Sequence, residues 1–366
     1  MNVLFIKYSN NSQAIILFFL FSLTCCNSNP QQVSEVSHLS PFKKLSEYNF
    51  FVGKIADLQP NERVLPYDLN SPLFSDYAHK SRLVWMPKGT SAKFTSTGKV
   101  LDFPIGTVLI KTFFYQNDER DESQGKRNIE TRLLVKGKEK WEAHGYTWNK
   151  EQTEATLDIV GDIKTVNWID KTGKPMMVDY IIPNKNQCKG CHYNKGVQEP
   201  IGPKVRNLNK EFAYLDGKMN QLEKWNTVGY LADYQPNTNY KKVAKWDNPN
   251  SGTLHERALA YLDINCGHCH NPNGPASTTG LNLVAEAEMN INLGINKPSV
   301  AAGAGTGGFA LNIIPGHPEK SILTYRMSSI EPAAMMPELG RRMVHEEGLE
   351  LIKEWILKMD FGESKD

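Results

Sequence analysis

The stretch Ala258-Leu-Ala-Tyr-Leu-Asp-Ile-Asn-Cys-Gly-His-Cys-His270 determines how the rest of the chain is interpreted. An apolar run with helical periodicity leads directly into a Cys-x-x-Cys-His pattern, Cys266–His270, called here the second motif. The same pattern occurs once earlier, at Cys188–His192, the first motif. Two thiols about one helical turn apart, followed at once by a histidine, form the attachment sequence of a c-type haem.

The chemistry of this pattern assigns a role to each residue. Two covalently bound haems, each carrying iron, are predicted at Cys188 with Cys191 and at Cys266 with Cys269. His192 and His270 are the predicted proximal iron ligands. A zinc site built from the two cysteine pairs is the competing interpretation, but a histidine follows both pairs and the pairs are far apart in the chain. His268 is expected to be a solvated bystander.

Residues 1–26 are typical of a processing segment. Lys7 precedes the apolar run Ala14–Leu23, which is too short to cross a bilayer as a helix and suits a signal peptide. The cysteines that follow resemble a bacterial lipoprotein signal, with Cys26 as the predicted lipidation site and Cys25 as the runner-up. We therefore expect export to the periplasmic face of a bacterial membrane with a lipid anchor. Plain cleavage and secretion is the alternative.

Composition sets the broad class. The chain has 366 residues, 40% hydrophobic and 22% charged, which is typical of a globular protein with two domains. Its net charge of +2 gives no indication of a nucleic-acid partner. The cysteines beyond the leader all lie in the two motifs, so none is left for the structural disulfides that exported proteins often carry.

Hydrophobic patterning predicts an α+β multidomain chain. After a polar tether at 27–42, residues 43–251 are predicted to form a β-rich, sandwich or barrel-like domain that carries the first motif. The strand-like segments are Gly106–Tyr115, Thr131–Val135, Trp141–Trp148, Val166–Ile169 and Met177–Ile182. Residues 252–366 read as an all-α domain, with a helix capped by Thr253 and Glu256 and a last helix near His345–Met359.

The loop Ala333-Ala-Met-Met-Pro337 offers a sixth ligand for the second haem. Here residues 252–366 resemble the class I cytochrome c fold, in which a Met-Pro loop lies between the haem motif and a C-terminal helix. The resemblance implies Met336 as the distal iron ligand, with Met335 as the runner-up. A methionine that closes the iron is typical of electron transfer.

The sequence does not decide which residue is the distal ligand of the first haem. The region after His192 holds no histidine before residue 252 and only one methionine. The candidates are therefore Met219, a residue of the β-rich domain, a group from the C-terminal domain, or an empty coordination position; the named side chains are His144, Met219, Met176, Met177 and His79.

The mature chain is similar to a little-characterised family of exported di-haem c-type cytochromes. The similarity is carried by the segments Val64–Tyr77, Asp102–Thr107, Glu130–Leu134, Tyr146–Asn149, Asn186–His192, Ile201–Lys204 and Met336–Arg341. It implies two haems and this architecture, and it carries no established reaction. With the methionine loop and the leader, we expect electron transfer between redox protein partners and membrane contact through the N-terminal lipid, and we assign no catalytic residue. The alternatives are a peroxidase-like enzyme with an open first haem and a haem subunit of a dehydrogenase complex.

Overall fold

The computed structural model describes residues 31–34, 36, 40–96, 98–300 and 303–359. The leader with Cys25 and Cys26 lies outside the described residues. From Gln32 onward the described residues form one compact unit. Within those ranges, none of the helices combines the length and the apolar character needed to cross a membrane.

A six-stranded antiparallel sheet, with its strands in chain order, forms the centre of the N-terminal part. This confirms the predicted β-rich region. The strands contain runs of β-branched and aromatic residues, and charged or glycine-containing turns separate several of them. They are β1 (Leu65–Pro66), β2 (His79–Trp85), β3 (Val108–Gln116), β4 (Lys126–Lys136), β5 (Trp141–Trp148) and β6 (Ala155–Asp158).

The strand register places apolar residues on both faces of this sheet. Leu83, Ile110 and Leu133 are cross-strand neighbours and pack in a core with the N-terminal segment around Leu45 and Phe50. Because side chains alternate along a strand, the residues one position further on face the opposite side. There Val84 and Leu109 pack in a second core, which includes Trp225.

A second hairpin pairs β7 (Asp162–Ile169) with β8 (Pro175–Ile182) and contributes to its own core around Trp168 and Tyr180. Two shorter hairpins follow the first motif. They pair β9 (Tyr193–Asn194) with β10 (Val197–Gln198), and β11 (Glu211–Tyr214) with β12 (Gly217–Asn220).

Six α-helices complete the described part of the chain. Three precede the C-terminal region: α1 (Lys185–His192), α2 (Val205–Leu208) and α3 (Gln221–Thr227). Three lie within it: α4 (Leu254–Leu262), α5 (Ile322–Ser328) and α6 (Glu346–Leu357). The predicted capping box at the start of α4 is present, since Thr253 and Glu256 exchange side-chain to backbone hydrogen bonds.

The predicted all-α C-terminal domain is wrong. Between α4 and α5 the described chain has no α-helix, only π and 3-10 turns, loops and two isolated bridges, Ile295 with Ile313 and Pro298 with Leu311. Eight glycines lie between Gly274 and Gly316, and glycine disfavours the helix interior. The C-terminal helices therefore frame a loop-rich region that belongs to the same compact unit as the sheet.

Candidate functional site: two attachment motifs in contact

The two Cys-x-x-Cys-His motifs lie against each other. The thiols of Cys191 and Cys269 lie close enough to interact, and the His268 imidazole lies beside Cys191. Close by, the backbone amide of Lys195 donates to the carbonyl of Asn273 at 3.0 Å. The motifs are thus joined by side chains and by the backbone, a contact that no local sequence pattern predicts.

The first motif occupies helix α1. Asn184 caps this helix by accepting from the amides of Asn186 and Gln187, while the Gln187 side chain accepts from the Asn184 amide at 2.9 Å. This reciprocal arrangement starts the helix directly after strand β8. The spacing Asn184-x-x-Gln187 is the sequence pattern that predicts the start of this helix. The sequence-based predictions above include only the preceding strand and not this helix.

The two motif histidines share one hydrogen-bonding arrangement. His192 Nδ1 lies 2.8 Å from the carbonyl oxygen of Glu199, and a carbonyl can only accept, so Nδ1 carries the proton. His270 Nδ1 lies 3.2 Å from Thr279 Oγ1. The Thr279 hydroxyl donates its own proton to the Ala276 carbonyl, so it accepts from His270. In both rings Nδ1–H donates, and Nε2 keeps its lone pair.

Burial keeps both imidazoles neutral. It lowers the pKa of His192 to about 4 and that of His270 to about 4. A neutral imidazole with a free Nε2 is the form that binds a metal ion.

None of the four motif cysteines forms a disulfide, and all are partly buried. Burial raises the pKa of the Cys188 thiol and raises that of Cys266 to about 12. The interaction between the thiols of Cys191 and Cys269 lowers the pKa of Cys191 and raises that of Cys269.

A cavity of about 1920 Å³, part of it open to solvent, lies beside the first motif. We call it the first cavity. Its wall includes Cys188, Cys191 and His192 from one side of the site, and His268, Met335 and Met336 from the other. The expectation that His268 is a solvated bystander is wrong, because it lines this cavity and its Nδ1 is buried without a hydrogen-bond partner among the described residues.

A second cavity, of about 1030 Å³ and partly open to solvent, lies beside the second motif. Cys266, His270 and Met336 line it together, with apolar neighbours that include Leu283, Leu293 and Ile313. The sequence prediction that pairs His270 with Met336 is thus compatible with the structure, in which both residues line one largely apolar cavity.

The five candidates for the distal side of the first haem separate clearly. Of the five, only His144 lines the first cavity. It pairs with Leu133 across the sheet, and side chains alternate along a strand, so the His144 side chain lies on the face opposite to that of Arg132. The others have different neighbours, none in the described lining of that cavity: His79 bonds to Glu119, Met219 pairs with Phe212, Met176 packs near Trp168, and Met177 is 63% exposed.

A row of cations crosses the sheet on the wall of the first cavity. Arg82, Lys111 and Arg132 are directly opposite one another on β2, β3 and β4, and all three line the cavity. Arg82 pairs with Asp68, and Arg132 pairs with the buried carboxylate of Glu130. Lys111 forms no ion pair with a described residue; its Nζ lies 4.5 Å from the centre of the Phe113 ring. Burial, and then the neighbouring positive charges, hold the pKa of Lys111 well below its usual range.

Buried ion pairs support the second motif from behind. Asp263, only 3% exposed, lies three residues before Cys266 and pairs with Arg206 at 2.7 Å. Arg206 also bonds to Glu286, and Lys204 lies 3.7 Å from Asp263. Burial alone would raise the pKa of Asp263, but the charges of Lys204 and Arg206 outweigh it and hold the pKa below its ordinary value.

Sequence reasoning missed the side chains that hold the site in place. Thr279 orients His270 through a hydrogen bond. The sequence offers little indication of this role, because Thr279 is one of several polar residues in the loop after the second motif. Arg341 donates hydrogen bonds to the backbone carbonyls of Arg326, Ser329, Met336 and Met343. In the sequence, the only indication of these contacts is that an arginine follows the Met336-Pro337 pair.

Within the described ranges, no group of three or more His, Cys, Asp or Glu side chains converges on a common point to bind a metal ion. A comparison with known proteins finds no matching family model, no matching curated protein and no matching solved structure.

Proposed function

We propose that this protein is an exported di-haem c-type cytochrome that transfers electrons between redox protein partners. The observation that carries the proposal is the close approach of the two attachment motifs beside two cavities: His192 lines the first, His270 lines the second, and Cys266 lines both. Cys188 with Cys191, and Cys266 with Cys269, would hold the two haems covalently, and His192 and His270 would bind their irons.

The donor groups fit this role. Each motif histidine donates Nδ1–H to an oxygen and presents a neutral Nε2, which is the usual arrangement for a histidine that binds a metal. The second cavity adds apolar side chains and a thioether on the wall shared with His270. Apolar surroundings exclude water, and a thioether raises the reduction potential of a haem.

The chemistry supplied by a bound haem would be reversible one-electron exchange at its iron. The chain's own residues would attach the haem, orient the imidazole through Glu199 and Thr279, and shield the group from water. Because Cys191 and Cys269 are in contact, the two attachment points adjoin. Electrons could then pass between the haems without a third carrier.

A second candidate function is peroxidase-like chemistry at the first haem. It is favoured by one observation, the polar wall of the first cavity, where Lys111, Arg132 and Tyr180 face the space next to His192. Such groups could move protons or bind an anion above an open iron. This function requires a vacant coordination position on the first haem.

Spectroscopy of the oxidised protein separates the two functions. Electron transfer predicts two low-spin haems in low-temperature EPR and no turnover of hydrogen peroxide. A high-spin signal together with peroxide turnover would overturn it in favour of the enzyme. The absence of covalently bound haem would reject both.

We also propose that Cys26 carries a lipid that anchors the protein at the periplasmic face of a membrane. The support is the order of basic, apolar and cysteine residues in the leader. Labelling of growing cells with a fatty acid tests it, with Cys26→Ser and Cys25→Ser compared. Loss of label only in Cys26→Ser is expected. Unlabelled wild-type protein would overturn the anchor.

A further inference from the structure

Residues 333–341, the methionine loop, line cavities that both motifs also line. The loop lines the first cavity along much of its length, and Met336 also lines the second cavity. A methyl group placed on Gly190, inside the first motif, would lie 3.6 Å from Leu339 Cδ1, so the loop touches helix α1. One loop thus serves both sides of the site.

The backbone of the methionine loop is held firmly. The amide of Met335 donates to Glu331 at 2.8 Å, and the amide of Met336 donates to Arg326 at 2.9 Å. The guanidinium of Arg341 donates to the Met336 carbonyl at 3.1 Å and closes the loop from its other end. These hydrogen bonds engage backbone groups only. The thioether side chains of both methionines therefore stay available as ligands.

The two methionines differ in which cavity they border. Met336 lines both cavities, whereas Met335 lines the first cavity and is absent from the wall of the second. Met335 is buried, with 6% of its surface exposed. The sequence interpretation had treated the two methionines as competitors for one iron, but the cavities give them different neighbours.

The histidines of the first cavity other than His192 have competing interactions or a different orientation. His345 stacks on Phe74 with ring centres 4.2 Å apart, and its Nδ1 bonds to Tyr261. His268 lies beside the Cys191 thiol, a residue that would attach the first haem. The register places the His144 side chain on the opposite face of the sheet from the cationic row. Met335 is a soft donor without such a competing bond.

We propose that Met335 is the distal iron ligand of the first haem, so that consecutive methionines of one loop ligate both haems. Met335 would act with His192, and Met336 with His270. This inference rests on the proposed di-haem function. It deepens that function, because two methionine-closed irons suit electron transfer and leave no vacant position for peroxide.

The test uses full-length protein produced with a haem-attachment system and compares Met335→Leu with Met336→Leu. Magnetic circular dichroism in the near infrared reports the axial ligands of each ferric haem. Wild-type protein should show two histidine–methionine haems, and each variant should lose one of them. In each variant the reduction potential of one haem should fall, and the reduction potential of the other haem should stay unchanged.

Two further variants complete the design. Met343→Leu is the matched control, because Met343 lies close to the loop but outside the wall of either cavity, and it should keep both signatures. Met327→Leu tests the remaining thioether that borders both cavities, and it should also keep both. An unchanged ligand spectrum in Met335→Leu, with two haems confirmed by mass, would overturn this inference alone. Wild-type protein without covalent haem would instead overturn the proposed function.

Discussion

The thiols of Cys191 and Cys269 lie close enough to interact although they belong to attachment motifs far apart in the chain. Helix α1 brings one of them from the end of the β-rich part, and helix α4 with its π turn brings the other from the C-terminal part. The loop-rich C-terminal region thus meets the N-terminal part at the residues that would carry the haems. Other contacts also join the two parts of this compact unit, among them the hydrogen bonds from the backbone amides of Arg342 and Met343 to Asp76.

The first prediction concerns the glycine in each motif. A methyl group on Gly267 would lie 2.8 Å from the backbone oxygen of Leu283. This is a steric clash that can be relieved only by moving the backbone. Gly267→Ala should lower the free energy of unfolding by about 1–3 kcal/mol. Gly190→Ala is the control, because its methyl group meets only Leu339 at an ordinary 3.6 Å. Urea denaturation measures both; an equal effect in the two variants would contradict the predicted close approach.

The second prediction concerns Asp263 and pH. Its folded-state pKa is held below the ordinary value, so its ion pairs stabilise the protein above the unfolded pKa of about 3.9. That contribution is lost as the pH falls through the folded pKa. Asp263→Asn should cost about 3 kcal/mol at neutral pH, because Arg206 loses its buried partner.

Unfolding of Asp263→Asn in urea as a function of pH checks this sign. The difference from wild type should shrink as the pH falls below about 4. Glu286→Gln is the control, since Glu286 is 40% exposed and its pair with Arg206 should contribute at most about 1 kcal/mol. A difference that grows on acidification would contradict the assignment.

The third prediction concerns Lys111, which lies between two arginines and has no ion pair with a described residue. Lys111→Met should raise the free energy of unfolding by about 1 kcal/mol, because it removes a poorly compensated charge and keeps the apolar stem. Lys136→Met, on the same sheet but outside the cavity wall, should change it by less than about 0.5 kcal/mol. Thermal and urea unfolding measure both. A loss of stability in Lys111→Met would show that an anion normally pairs with this lysine.

The fourth prediction concerns Thr279, which accepts the Nδ1–H of His270 at 3.2 Å. This hydrogen bond increases the basicity of the imidazole and so favours the ferric state of a bound iron. Thr279→Val should raise the reduction potential of one haem, whereas Thr279→Ser keeps the hydroxyl and should leave it unchanged. Potentiometric titration followed by absorbance distinguishes them. Equal potentials in both variants would contradict the orienting role of Thr279.

Local patterns predicted local structure well. Trp141–Trp148 is strand β5 over its full predicted length, and the Thr253 capping box begins α4 one residue later. The last helix, predicted near His345–Met359, runs over Glu346–Leu357. These features depend on neighbours within a few residues, and such information is present in any short window of sequence.

What the sequence could not predict depends on distant contacts. The all-α C-terminal domain was inferred from the helices around the haem motif and the methionine loop, but the segment between α4 and α5 is rich in glycine and forms loops instead. The sequence likewise does not show that Met336 lines both cavities and Met335 only the first, because this depends on how distant parts of the chain pack around the methionine loop.

Intact-mass spectrometry of the purified mature protein tests the central claim most directly. Wild-type protein from cells with a haem-attachment system should be heavier than its polypeptide by two haem groups. Cys188→Ala combined with Cys191→Ala should retain one covalent haem, and Cys266→Ala combined with Cys269→Ala should retain the other. A wild-type mass equal to that of the polypeptide alone, in cells that attach haem to a known c-type cytochrome, would contradict the account.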